Sequence, residues 1–158
     1  MNPQFEELDY CRTRLGELIL QRRRVLALEG AEAYEVKLNG EYLMSSLFYE
    51  AEVELSRLGL RDLSGPSWEV VVGGLGLGYT AAAALTFSQV SRLVVVEALE
   101  PVIRWHRQGL VPNGAALTND PRCSYCHADF FALARGDGFD EEQPGHRWDA
   151  VLLDIDHT

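Results

Sequence analysis

Val70-Val71-Val72 runs directly into Gly73-Gly74-Leu75-Gly76-Leu77-Gly78, and this junction constrains the 158-residue chain more than any other stretch. A short β-branched run without polar alternation fits a strand buried on both faces of a parallel sheet. The alternating glycines that follow let the backbone turn tightly and approach a ligand without Cβ clashes. Tyr79 to Phe87, with its run of alanines, then reads as a helix. The unit is therefore strand, glycine loop, helix.

The same rhythm repeats downstream. Leu93 to Val96 is a second buried strand that ends at Glu97, and Pro101 suits the first turn of the next helix, where its missing N–H costs nothing. Ser124 to His127 predicts a third short strand ending at Asp129, and Ala150 to Leu153 a fourth ending at Asp154. Alternating strands and helices imply an α/β fold with a right-handed, Rossmann-like doubly wound parallel sheet.

The first third reads differently. Leu15 to Leu20 and Val25 to Leu28 are short apolar stretches around Arg22-Arg23-Arg24, which reads as a solvated strand or turn. Tyr34 to Leu38 alternates apolar and charged residues, and Asn39-Gly40 separates it from Glu41 to Met44, a strong hairpin signal. Ser46 is placed to cap a helix carrying Leu47, Ala51, Leu55 and Leu58, with Gly59 at its end. Ser64-Gly65-Pro66 marks a linker. The expected organisation is a small N-terminal β-hairpin domain plus helix over 1–64 and a nucleotide-binding domain over 65–158.

In an open parallel sheet, ligands bind at the carboxyl ends of the strands. There the sequence places the glycine loop (Gly74, Gly76, Gly78) together with Glu97, Asp129 and Asp154. Glu97 is suited to both ribose hydroxyls and Asp129 to an adenine amino group. Each acid alone would be an ordinary strand-end carboxylate; the four elements together point to a nucleotide. The loop does not choose which one, since Gly76 to Ala81 also satisfies the G-x-G-x-x-A dinucleotide form with Glu97 about 20 residues on. Asp129 and the alternating glycines tilt the reading toward a sulfonium nucleotide.

Composition narrows the remaining classes. A formal charge of -10 with one short basic run argues against nucleic acid. No apolar run reaches the ~18 residues of a membrane span, and the acidic, polar start does not read as a secretory signal, so a cytoplasmic protein is expected. Cys11, Cys123 and Cys126 are expected to be reduced. Cys123 to His127 matches the C-x-x-C-H form of haem attachment. On a strand, however, residues three apart face opposite ways, so neither haem nor metal is expected there. Tyr79, Trp105, His106, Phe130 and Phe131 read as packing or rim residues.

Val70 to Ala84, Val94 to Glu97, Ala128-Asp129-Phe130 and Trp148 to Asp154 resemble the successive motifs of the spermidine synthase-like group, and Tyr34 to Leu58 resembles that group's N-terminal β domain and following helix. The resemblance implies a class I S-adenosylmethionine-type fold in which Gly74 and Gly76 line the sulfonium nucleotide, Glu97 the ribose, Asp129 the adenine, and Asp154 the catalytic centre. It also implies a donor, S-adenosylmethionine or its decarboxylated form, and a small amine acceptor; a homodimer is left open. The chain departs from the group at Gly76, where spermidine synthases carry an acid, at Leu43-Met44, near a glutamine, and at Phe48-Tyr49-Glu50, in place of Tyr-His-Glu.

A sulfonium donor already has a good leaving group, so the protein mainly positions the nucleophile. Asp154 is the expected proton acceptor or orienter of the amine, with Asp156 as a second acid. Aminopropyl and methyl transfer make nearly the same demands and both stay open, as does a non-catalytic nucleotide-binding module. The resembled sheet has seven strands in the order 3-2-1-4-5-7-6, of which four are present here. A C-terminally truncated stretch is therefore expected, the alternative being a reduced variant that needs a partner.

Overall fold

A computed structural model describes residues 4–155. Two sheets share it. The first is antiparallel, ordered β1-β2-β3-β4, from β1 (Phe5–Thr13), β2 (Gly16–Val25), β3 (Ala31–Leu38) and β4 (Glu41–Ser45). The Asn39-Gly40 turn between β3 and β4 has φ of 53° and 82°, the pair of positive values that such a two-residue hairpin demands. The arginine run lies within β2, where Arg22 pairs with Glu6 and Glu32 and Arg23 with Glu35.

The second sheet is parallel, ordered β7-β6-β5-β8, from β5 (Trp68–Gly73), β6 (Val90–Glu97), β7 (Cys123–His127) and β8 (Ala150–Leu153). In chain order within that sheet this is 3-2-1-4, and the α/β, doubly wound reading holds. Helices α1 (Glu50–Leu60), α2 (Tyr79–Leu85), α3 (Glu100–Arg107), α4 (Gly114–Asn119) and α5 (Phe130–Arg135) complete the fold.

Strand alternation divides the core. Val70, Val72, Leu93 and Val95 face a large cluster that includes Leu60 of α1, Ala81 and Ala84 of α2, Trp105 of α3 and Leu117 of α4. Leu18, Leu20 and Val36 of the antiparallel sheet join the same cluster, so one core unites both sheets. Val71, Val94 and Val96 point the other way, onto Phe130 of α5 and the half-buried Phe139 and Trp148. Each fully buried valine contributes roughly 1.5–3 kcal/mol, which explains the runs Val70-Val71-Val72 in β5 and Val94-Val95-Val96 in β6.

Three local expectations are corrected. Ser46 does not cap α1: its Oγ accepts the Tyr34 N–H at 2.9 Å, and the helix begins only at Glu50, with no side-chain cap. Gly59 does not end α1, which continues to Leu60. A Cβ at Gly59 would stand 2.5 Å from Leu152 Cδ2, so glycine there lets the helix press onto β8. The helix expected to run to Phe87 stops at Leu85.

Cys123 and Cys126 are on β7, packed against the two opposite clusters. Both are free thiols, and burial pushes the Cys123 thiol up to about 12. No helix among the described residues is long and apolar enough to cross a membrane.

Candidate functional site

The parallel register brings the strand ends level. Val96 opposes Gly73 on one side and Leu153 opposes it on the other, while Glu97 opposes His127. Backbone bonds lock this edge: Gly74 N–H to the Val96 carbonyl at 2.8 Å, Asp154 N–H to Gly73 at 2.7 Å, and Ala128 N–H to Glu97 at 3.1 Å. The three acids expected at strand ends are thus held on one rim. A cleft of about 180 Å³ opens there, lined by Gly74, Gly76, Gly78, Glu97, Asp129 and Asp154 among others. Asp156, the second expected acid, lies outside the described residues.

The loop glycines are required sterically. Gly74 has φ +95°, and a Cβ on it would meet the Asp154 carbonyl oxygen at 2.0 Å. Gly78, at φ +87°, begins α2 above Leu117 and the buried His106, whose side-chain atoms would sit 2.8 and 2.9 Å from a Cβ. At Gly76, with φ +51°, a Cβ would stand 3.2 Å from Met44 Sδ, since the end of β4 comes close to the loop there. Burial holds the His106 pKa below its usual value, so the ring is a neutral prop for the loop.

Each acid is oriented by a specific donor. Glu97 is half-buried; its Oε2 accepts the Leu75 N–H at 2.9 Å and its Oε1 the Leu99 N–H at 2.8 Å. One carboxylate thereby ties the glycine loop to the start of the next loop. Asp129 caps α5, with Oδ1 accepting the Ala132 N–H at 2.9 Å, while the residue stays exposed at the rim. Asp154 Oδ2 accepts the Thr80 hydroxyl at 2.7 Å.

The other walls come from residues that the sequence did not single out for the site. Arg14 and Leu15, in the β1–β2 turn, and Ser45 with Met44 at the end of β4 close one side; Glu52 of α1 also lines the cleft. Tyr79 and Phe131, expected at the rim, line it too. Tyr79 stacks on Tyr49 with ring centres 4.6 Å apart, and burial, with Tyr49 beside it, pushes its phenol pKa up, keeping it neutral. Trp105 and His106 are fully buried, as a packing role requires.

No protein-family model and no curated protein matches the sequence. Among solved structures, the chain superposes on a spermidine synthase from Thermotoga maritima with a TM-score of 0.71, at 16% identity over 96% of its length. It also superposes on a spermidine synthase in complex with the transition state analogue AdoDATO, with a TM-score of 0.68 at 15% identity over 95% of its length. The fold is that of the spermidine synthases. The chain spans 47% of the length of each of these solved chains. The superposition takes in both the 3-2-1-4 parallel sheet and the antiparallel sheet, since it covers 96% of the chain.

Proposed function

We propose that this chain holds a sulfonium nucleotide, S-adenosylmethionine or its decarboxylated form, and serves transfer of an alkyl group from it to an amine, aminopropyl transfer being the reading favoured by the fold. The observation that carries this is the convergence of the glycine loop, Glu97, Asp129 and Asp154 on one cleft at the carboxyl edge of the parallel sheet. Such an edge is where open α/β sheets bind ligands.

The residues fit the donor by their chemistry. Gly74 and Gly76 let the loop pack tightly against Asp154 and Met44, so that its backbone lines the cleft a nucleoside would enter. The Glu97 carboxylate, fixed by two N–H groups, keeps acceptor capacity for ribose hydroxyls. Asp129 does the same for an exocyclic amine. A negatively lined cleft suits a cationic sulfonium and a protonated amine.

Asp154 is the candidate catalytic residue, held by Thr80. As the amine nitrogen bonds to the reacting carbon and the carbon–sulfur bond breaks, its electrons staying with sulfur, Asp154 takes or orients the proton that nitrogen sheds. Positioning supplies most of the rest.

The test is titration calorimetry with 5′-methylthioadenosine, followed by a comparison of S-adenosylmethionine with its decarboxylated form. Absence of adenosyl thioether binding would remove the reading. A turnover assay giving methylated rather than aminopropylated amine would move it to methyl transfer, and binding without any turnover would leave a nucleotide-binding module.

A further inference from the structure

We infer that Arg14 receives a carboxylate carried by one of the two substrates, so that the site takes an amino-acid-type group and not only bare amines and nucleosides. The inference rests on the nucleotide reading above and says which chemistry that site accepts.

The chain carries 24 acidic residues against 14 basic ones, so an arginine near any acid readily finds a partner. Arg12, Arg22, Arg23, Arg57, Arg61, Arg92, Arg104 and Arg122 each pair with a carboxylate. Arg14 makes no ion pair or hydrogen bond among the described residues. Yet it borders a cleft that Glu52, Glu97, Asp129 and Asp154 also line, and among the described residues it is the cleft's one cationic side chain. Glu97, Asp129 and Asp154 are each engaged by a loop amide or hydroxyl of their own. The guanidinium is therefore left for an anion that arrives with a ligand.

The turn that carries Arg14 is built to hold it there. Thr13 Oγ1 donates to the Gly16 carbonyl at 2.9 Å and accepts the Leu15 N–H at 3.1 Å. From the neighbouring hairpin, Asn39 Oδ1 accepts the Glu17 N–H at 3.0 Å, and Asn39 Nδ2 donates to the Leu15 carbonyl at 3.1 Å. Gly16, at φ +127°, has no room for a side chain, because a Cβ would lie 1.9 Å from Asn39 Oδ1. Two hairpin turns thus clamp each other and fix the backbone at Arg14, so that only its side-chain freedom is lost when it engages a ligand.

Arg14 also lines a second, adjoining groove together with Arg12 and Arg104, both already ion-paired, and that groove shares Leu99, Ala128 and Asp129 with the first. A guanidinium matches a carboxylate in a two-bond fork, which makes the contact selective as well as attractive. The carboxylate belongs either to the donor's amino-acid end or to an amino-acid acceptor.

Calorimetric titrations of the wild type and Arg14→Gln separate these sources. If the donor carries it, the wild type binds S-adenosylhomocysteine about tenfold or more tightly than 5′-methylthioadenosine, the scale of one charge-assisted bond. Arg14→Gln then binds both alike, with 5′-methylthioadenosine affinity unchanged. If the acceptor carries it, the two nucleotides bind the wild type alike. In that case γ-aminobutyrate binds the 5′-methylthioadenosine-loaded wild type and not the loaded variant. Equal nucleotide binding in both proteins, with γ-aminobutyrate binding neither, overturns the role of Arg14 and leaves the nucleotide reading intact. Failure of both nucleotides to bind overturns the two together. The exposed position of Arg14 keeps folding out of the comparison, which matched thermal melts verify.

Discussion

The Thr80 hydroxyl donates to Asp154 Oδ2 at 2.7 Å, joining residues 74 positions apart in the chain. Thr80 is buried in the first turn of α2, directly after the glycine loop, and Asp154 follows the last residue of β8. The loop and the carboxylate are joined a second way, since Gly74 packs against the Asp154 carbonyl. The groups expected to hold a donor and to move a proton therefore share one rigid edge.

That edge makes the glycines unequal. Gly74→Ala drives a methyl into the Asp154 carbonyl at 2.0 Å and should cost about 3 kcal/mol or more, since backbone must move. Gly76→Ala meets only the flexible Met44 side chain at 3.2 Å and should cost about 1–2 kcal/mol, the strain of a left-handed backbone. Urea unfolding of both variants measures the difference; equal costs would mean that the loop is looser than the packing indicates.

Glu97→Ala should weaken binding of an adenosyl thioether by ~1.5–3 kcal/mol, the scale of a hydrogen bond to a charged group. It should also destabilise the free protein, because the Leu75 and Leu99 N–H groups lose their shared acceptor. Glu97→Gln keeps one amide oxygen as acceptor and should recover part of the stability but little of the affinity. Calorimetry beside thermal melts reads both effects. Unchanged affinity would take Glu97 out of the site.

The sequence made the parallel half legible because its signals are local. A valine run, a glycine loop and an acid after each strand need no tertiary information, and all three acids fall on the cleft. In the antiparallel half the β3–β4 hairpin was legible, from the Tyr34 to Leu38 alternation and from Asn39-Gly40 before Glu41 to Met44. Strand β1 escaped because Phe5, Leu8 and Cys11 are spaced by three, and a register shift between Glu7 and Asp9 breaks the two-residue alternation. Helices α4 and α5 span six residues each, too few for a helical period to register. Ser46 reads as a helix cap in the sequence, but a hydroxyl before an apolar run can equally bond an adjacent strand, as it does with the Tyr34 N–H. Arg14 gave no signal, since nothing in Thr13-Arg14-Leu15 says that the turn folds beside the glycine loop that starts at Gly74.

Asp9 links the two sheets' layers, and its effect depends on pH. Its Oδ2 accepts the fully buried Trp105 indole N–H at 2.6 Å and the Arg104 guanidinium at 2.8 Å. Burial alone would raise its pKa, but the Trp105 and Arg104 donors, with the Arg104 charge, outweigh it and hold the carboxyl below its ordinary value. A depressed carboxylate contributes stability that is present above the unfolded value and is lost as pH falls through the folded one. Asp9→Ala should therefore destabilise by about 1–3 kcal/mol at neutral pH, leaving Trp105 without its acceptor, and by less near pH 3. Thermal melts at the two pH values test this; a gap that widens in acid would contradict the assignment.

Asp154→Asn separates chemistry from binding. Asn keeps the shape of the side chain, and its carbonyl oxygen still accepts the Thr80 hydroxyl, so the edge of the sheet should stay intact. What it loses is the charge that meets the amine as its proton leaves and positive charge moves from sulfur to nitrogen. In protein that turns over, Asp154→Asn should lower kcat by ~10²-fold or more while the affinity for an adenosyl thioether changes little. Thr80→Val provides the companion measurement, since it leaves the carboxylate in place but removes the Thr80 hydroxyl that donates to it. It should lower kcat by less than Asp154→Asn, again with little change in nucleotide affinity. Near-normal turnover in Asp154→Asn would reduce Asp154 to a strand end that anchors α2. Loss of nucleotide binding in step with turnover would instead place its role in holding the donor.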